Sequence, residues 1–253
     1  MYDWPELRPG NDAAWAGIRD RLRAAGVDAP ERLSRDRTDL HALWRDPGLL
    51  LSQTCWGPME AGLAPHVQVV AQPDYSSYEG GRGELYSSAI VMRALPSSLW
   101  EGQARSAGVG VDFIDSPPPP PESGPPRKAG KVLPLHRLRH ARFAFNSRDS
   151  RSGYLALKAD LEAAGEGLAI FSHLLETGGH RASIRAVAEG EADVAAIDCK
   201  SWALALRHEP AARELAVAGW TGLRKGLPYV TARGTPGHVV DALRAALAAC
   251  PPP

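Results

Sequence analysis

The stretch from Arg142 to Leu161 constrains this chain most. A short apolar run, Phe143-Ala144-Phe145, suits a buried strand, and small or polar residues follow from Asn146 to Gly153. Apolar positions Tyr154, Leu157 and Leu161 then recur at the three- and four-residue spacings of a helix. A strand, a hydroxyl-rich loop and a helix start bring free N–H groups and the positive end of the helix dipole to one point, where an anion is stabilised. Ser150 and Ser152 equally suit an N-cap. Taken alone, the stretch is a capped helix or an anion-binding turn.

Strand and helix alternate through the rest of the chain. Asn11–Ala25 is a predicted helix, capped by Asn11 or Asp12, with Trp15, Ile18 and Leu22 on one face. Thr38–Trp44 is a second amphipathic piece. Leu49–Cys55 is an apolar run that turns polar at its end, as a parallel strand does where it delivers side chains to a site. A short helix Pro58–Leu63 and strands His66–Ala71 and Leu85–Ala94 follow. Beyond the opening stretch the pattern predicts strand Leu168–Ser172 and a helix opened by Gly178-Gly179-His180. Next come strand Ala192–Ile197, helix Ser201–Arg207, strands Leu215–Trp220 and Leu227–Thr231, and a last helix Pro236–Ala249 capped by Thr235. This alternation predicts an α/β fold with mainly parallel sheets. Periodicity is lost between Leu95 and His136, where Pro117–Pro121 and Pro125-Pro126 indicate an insertion that serves as a partly polyproline II spacer.

Several function classes are excluded at this level. The 253 residues carry 29 basic and 29 acidic side chains, so no basic surface for nucleic acid is implied. The three cysteines are odd in number and lack CxxC spacing, which argues against disulfides and zinc. No apolar run is long enough for membrane insertion, and the N-terminus lacks the regions of a secretory signal, so the chain as written reads as cytoplasmic. The Gly-Gly-Arg-Gly run at Gly80–Gly83 precedes a strand, not a helix, and is no nucleotide fingerprint. Ser152, His180 and Asp198 have the types and order of a hydrolase triad, but no GxSxG elbow surrounds the serine. Cys55 and Cys199 have no identifiable base. Neither a catalytic residue nor a cofactor is expected.

Three loops lie at the ends of predicted strands: Gln53-Thr54-Cys55, the turn Asn146–Gly153, and Ile197-Asp198-Cys199. In open α/β sheets such ends form the ligand crevice. With Gly178-Gly179-His180 they supply hydroxyls, an amide, an imidazole and a carboxylate, interleaved with Tyr2, Tyr75, Tyr86, Tyr154 and Tyr229. That inventory suits neutral hydrogen bonding to a tetrahedral anion.

On FAFNSRDSRSGYLAL (Phe143–Leu157), GGHRASIRAVAEGEADVAAIDC (Gly178–Cys199) and LPYVTA (Leu227–Ala232), the chain resembles the phosphate/phosphonate family of ABC-transporter substrate-binding proteins, with the type II periplasmic binding fold. LLLSQTC (Leu49–Cys55) and MYDWPE (Met1–Glu6) add weaker support. The resemblance implies two α/β lobes: lobe I from residues 1–93 and 217–253, lobe II from 141–216, with 94–140 inserted between them. Two crossing strands, Leu85–Arg93 and the segment near Ala216–Thr221, would form the hinge, and the ligand would lie in the cleft. The family's Ser-x-Ser-Gly turn falls on Ser150, Ser152 and Gly153, flanked by Asn146 and Tyr154. The family histidine falls on His180, and the residue facing the rest of the ligand on Asp198. Tyr2, Thr54 and Cys55 are the lobe I contributions.

Arg151 departs from the pattern, standing where a hydroxyl residue is usual. Met1 coincides with the end of the family's first strand, which suggests a start upstream and then a periplasmic location. The implied function is binding of a small oxyanion such as phosphate or a phosphonate, for an ABC permease or as a sensor. The alternatives are an enzyme on the same fold acting on a phosphorylated or pyrimidine-like metabolite, and an interaction protein using the proline tract.

Overall fold

The structure is a computed structural model that describes residues 2–36, 39–94 and 133–250. The proline tract, with the spacer role expected of it, lies outside these residues. In chain order the described strands are β1 (Ser52–Gln53), β2 (Val67–Ala71), β3 (Gly81–Arg82), β4 (Leu85–Tyr86), β5 (Ser88–Arg93) and β6 (Arg142–Phe145). They continue as β7 (His173–Glu176), β8 (Val194–Asp198), β9 (Leu215–Trp220), β10 (Arg224–Lys225) and β11 (Tyr229–Ala232). One lobe is built on a sheet of order β1-β11-β2, the other on a sheet of order β7-β6-β8-β5-β9.

The larger sheet is covered on both faces, and its strands show why. Every residue of β8 is buried. Ala195 and Ile197 point into a core with Ile184, Val187 and Trp202, from helices His180–Ala188 and Cys199–His208. Val194 and Ala196 point the other way, into a core with Phe143, Phe145, Leu157 and Leu161. Alternate side chains of one strand thus feed opposite layers, and an apolar run without polar alternation is what a doubly covered strand requires. In the smaller lobe, helix Arg8–Ala24 presents Trp15, Ile18 and Leu22 to Val240, Leu243 and Leu247 of helix Gly237–Ala249. On the other side of this sheet, Trp44, Met59 and Leu63 pack with Val67, Val230 and Ala232.

The sheets are mixed, which corrects the expectation of mainly parallel sheets. Among the described residues, parallel pairing is confined to β6 with β7 and β6 with β8. β5 pairs antiparallel with both β8 and β9, and β11 pairs antiparallel with β1 and β2. The cause is the crossing of the chain between lobes. β5 leaves the smaller lobe and β9 returns to it, so the two run in opposite directions as partners. Their extensions β4 and β10 also pair antiparallel, with Arg224 opposite Tyr86. The result is an antiparallel ribbon joining the lobes along the two segments expected to cross.

Other elements differ locally from expectation. The first helix begins at Arg8, and Asn11 does not cap it; its amide donates to the Tyr2 carbonyl and the Asp3 carboxylate. Only Ser52–Gln53 of the Leu49–Cys55 run is strand. Leu168–Ile170 is a 3₁₀ turn, and the strand lies at His173–Glu176. Pro236, not Thr235, occupies the cap position of the last helix, while the Thr235 hydroxyl bonds that of Thr231 at 2.8 Å.

Candidate functional site

β6 ends at Phe145 and delivers the chain into the turn at Asn146. Ser150 caps the helix that follows, its hydroxyl accepting from the Gly153 N–H at 3.1 Å. The first turn, Arg151–Leu155, is wound wide, with the Leu155 N–H reaching the Ser150 carbonyl at 3.0 Å. Such widened turns concentrate at functional sites. The Arg151 N–H donates to Cys55 Sγ at 3.3 Å, and the Ser152 N–H has no partner among the described residues. Gly153 sits at a close approach: a Cβ there would be 1.7 Å from Asn146 Oδ1, so the Asn146 amide would have to move.

Ser152 Oγ lies 2.9 Å from His180 Nε2, and the same nitrogen lies 3.2 Å from Asp198 Oδ2. A nitrogen facing a carboxylate carries the proton, so Nε2–H is shared by Asp198 and Ser152. The Ser152 hydroxyl then accepts from His180, and its own proton is left for another acceptor, with the buried Tyr86 hydroxyl also beside it. Asp198 Oδ1 accepts from the Tyr2 hydroxyl at 3.0 Å and from the Ser201 N–H at 2.9 Å, the second bond capping helix Cys199–His208. A hydrolase triad needs its carboxylate on Nδ1 and its serine on Nε2; here both meet Nε2, and Nδ1 is buried without a partner. Burial pushes the thiols of Cys55 and Cys199 up, which keeps both neutral.

A cleft of about 360 Å³ opens between the lobes at these groups, lined by Tyr2, Cys55, Asn146, Ser150, Ser152, His180 and Asp198 among others. The opposite wall brings residues the sequence reading missed: Asp39, Leu40, His41 and Trp44, with Pro58 and Leu227. His41 Nε2 is 2.9 Å from Asp149 Oδ2. The signal available was the amphipathic run Thr38–Trp44, whose polar side carries Asp39 and His41, but amphipathicity alone does not say what a polar side faces. No lysine or arginine lines the cleft among the described residues. Three of the buried side-chain polar atoms left without a partner belong to its lining: Trp44 Nε1, Asn146 Oδ1 and His180 Nδ1. Unpaired buried polar atoms are rare enough to mark a place where a ligand or water is expected.

The remaining expected residues stand apart from the cleft. Thr54 is fully buried beside it, its hydroxyl without a partner and its N–H donating to the Pro228 carbonyl at 3.0 Å. Gly153 is buried within the turn, its N–H bonded to Ser150 Oγ. Tyr154 packs its ring 4.7 Å from that of Phe145 and accepts from Arg148 at 3.3 Å. Arg151 turns away to an ion pair with Glu60.

Burial lowers the His180 pKa below its ordinary 6.5, the Asp198 carboxylate opposing this in part. A base with a depressed native pKa binds its proton more readily unfolded, so its stabilising contribution is complete above pH 6.5 and declines as pH falls below that value. The paired carboxylates Asp3, Glu6, Asp193 and Glu209, all held low by arginines, lose theirs only in the more acidic carboxylate range. Melting temperature in a phosphate-free buffer is therefore expected to drop between pH 7 and 5, and His180→Asn to flatten that slope. An unchanged slope would assign it to other groups.

Among the described residues no helix is long and apolar enough to cross a membrane, and no cluster of His, Cys, Asp and Glu is arranged to hold a metal. No curated protein sequence matches the chain. Its fold is similar to that of PhnD1 from Prochlorococcus marinus, solved with methylphosphonate, at 18% identity and a TM-score of 0.64, covering 98% of this chain and 81% of that one. It is similar also to XAC2383 from Xanthomonas citri, solved with ATP (17% identity, TM-score 0.58, covering 96% and 78%). A third similar structure is PA3383 from Pseudomonas aeruginosa, a binding component of an ABC phosphonate transporter (17%, TM-score 0.56, covering 92% and 67%). The family model for periplasmic phosphonate substrate-binding proteins of ABC transporters matches residues 63–252, and the chain belongs to that family.

Proposed function

We propose that the cleft binds a small tetrahedral oxyanion, phosphate or a phosphonate, and that the lobes close on it. The observation that carries this is the start of helix Arg151–Ala163: a free Ser152 N–H, a Ser152 hydroxyl with its proton available, and unpaired buried groups around them. The anion meets N–H and O–H donors at a helix N-terminus, while Tyr2 and Asp198 face the rest of the ligand. Nothing in the geometry favours the enzyme alternative, since the shared Nε2 cannot relay a proton from serine to carboxylate.

The protein would serve an ABC importer, or a sensor, from the periplasm. Its lobes are proposed to divide along the sheets, with the β4–β5 and β9–β10 ribbon as hinge; this assigns β5 and the Val217–Trp220 part of β9, both expected in lobe I, to the larger lobe. Calorimetric titration with methylphosphonate and with inorganic phosphate tests the assignment. Saturable binding of at least one, without turnover, is expected. No heat from either would remove the oxyanion assignment.

A further inference from the structure

The turn that carries Ser150 and Ser152 belongs to the larger lobe, yet the smaller lobe grips it at four points. Arg151 forms an ion pair with Glu60. The Arg151 N–H donates to Cys55 Sγ at 3.3 Å. Gly57 lies so close to the turn that a Cβ there would be 1.7 Å from the Asp149 carbonyl oxygen. His41 meets the Asp149 carboxylate at 2.9 Å. Cys55, Gly57 and Glu60 lie on the segment that Met59 and Leu63 anchor in the core of the smaller lobe.

We propose that Arg151 is a positioning residue, which latches the Ser150–Gly153 turn to the smaller lobe through Glu60 and does not itself contact the anion. Three observations support this. Arg151 does not line the cleft. Its side chain is 16% exposed, held between the lobes, while that of Glu60 is 62% exposed and reaches in from solvent. Its own N–H joins the same grip, so the side chain and backbone of one residue hold the turn from the same direction. Closure of the lobes and placement of the anion donors are then one event. An anion bound to the turn favours the closed form, and the latch slows its escape. For its ligand this rests on the binding function proposed above; for the latch it does not.

The test compares Arg151→Gln, Glu60→Gln, the double variant and the charge swap Arg151→Glu/Glu60→Arg, with methylphosphonate as probe. A partly exposed ion pair is worth little by itself, so each single variant is expected to raise the dissociation rate by about two- to five-fold. The double variant should add nothing further, and the swap should restore the parent rate. If Arg151 instead donated to the anion, Arg151→Gln would weaken binding far more than Glu60→Gln, and the swap would be the worst of the four; that pattern overturns the proposal. X-ray scattering without ligand is an independent readout, with a larger radius of gyration expected for both single variants and reversal in the swap. Unchanged radii together with unchanged rates also overturn it. Should methylphosphonate not bind the parent protein, the binding function is what fails, and the scattering still decides the latch.

Discussion

Ser152→Ala is expected to weaken methylphosphonate binding by about 1.5–3 kcal/mol, the usual worth of a hydrogen bond to a charged group. The serine is the point where the local chemistry converges. Its hydroxyl accepts from His180 Nε2 at 2.9 Å, which leaves its proton for the anion. Removing Oγ does not strand the imidazole, because Asp198 still accepts from Nε2 at 3.2 Å. Affinity should therefore fall with little change in melting temperature. Ser150→Ala should behave differently. That hydroxyl accepts from the Gly153 N–H, so its loss removes an N-cap and costs stability of about 0.5–2 kcal/mol. Calorimetry and thermal melts on the two variants separate these roles, and equal affinity of Ser152→Ala and parent would move the anion elsewhere.

Gly57→Ala is expected to weaken binding by about 1–3 kcal/mol through a different cause, overpacking at a close contact. The added Cβ would stand 1.7 Å from the carbonyl oxygen of Asp149. No rotamer change relieves this, since the opposing atom is backbone. The two sides of the contact belong to different lobes, so the cost falls on the closed arrangement and spares both cores. Affinity should fall and scattering should report a wider molecule, while each lobe keeps its secondary structure. Parent-like affinity with an unchanged radius would mean that the lobes need not approach at Gly57 to bind. Gly153→Ala is not an equivalent experiment, because its clash, with Asn146 Oδ1, lies within one lobe.

Much of the larger lobe was legible because its code is local. The run Phe143–Phe145, the capped start at Ser150, and the alternation of Val194–Ile197 between two cores follow from neighbouring residues alone. Ser152, His180 and Asp198 stand at loops and a strand end in the sequence, and the structure brings them into one hydrogen-bonded chain with Tyr2. Asp198 proved to cap a helix and to face the cleft at once, so the structural and functional accounts of that residue do not compete. The three-residue error at the first helix start has an equally local origin. Asn11 has the side chain of a cap, but Tyr2 and Asp3 compete for its amide, and those contacts depend on how the chain enters the helix.

By itself, then, the sequence determined the alternation of elements, the polar turn after Phe145, and the position of Ser152, His180 and Asp198 at loops and a strand end, because helix and strand periodicity and capping act over a few residues. Only the tertiary structure decided the direction of β5 and β9, which reverses where the chain crosses between lobes. It alone brought His41 and Trp44 to the cleft, and it alone gave Arg151 a partner in Glu60, 91 positions away in the chain. A side chain's partner depends on how two separately folded lobes meet, and no local pattern records that meeting.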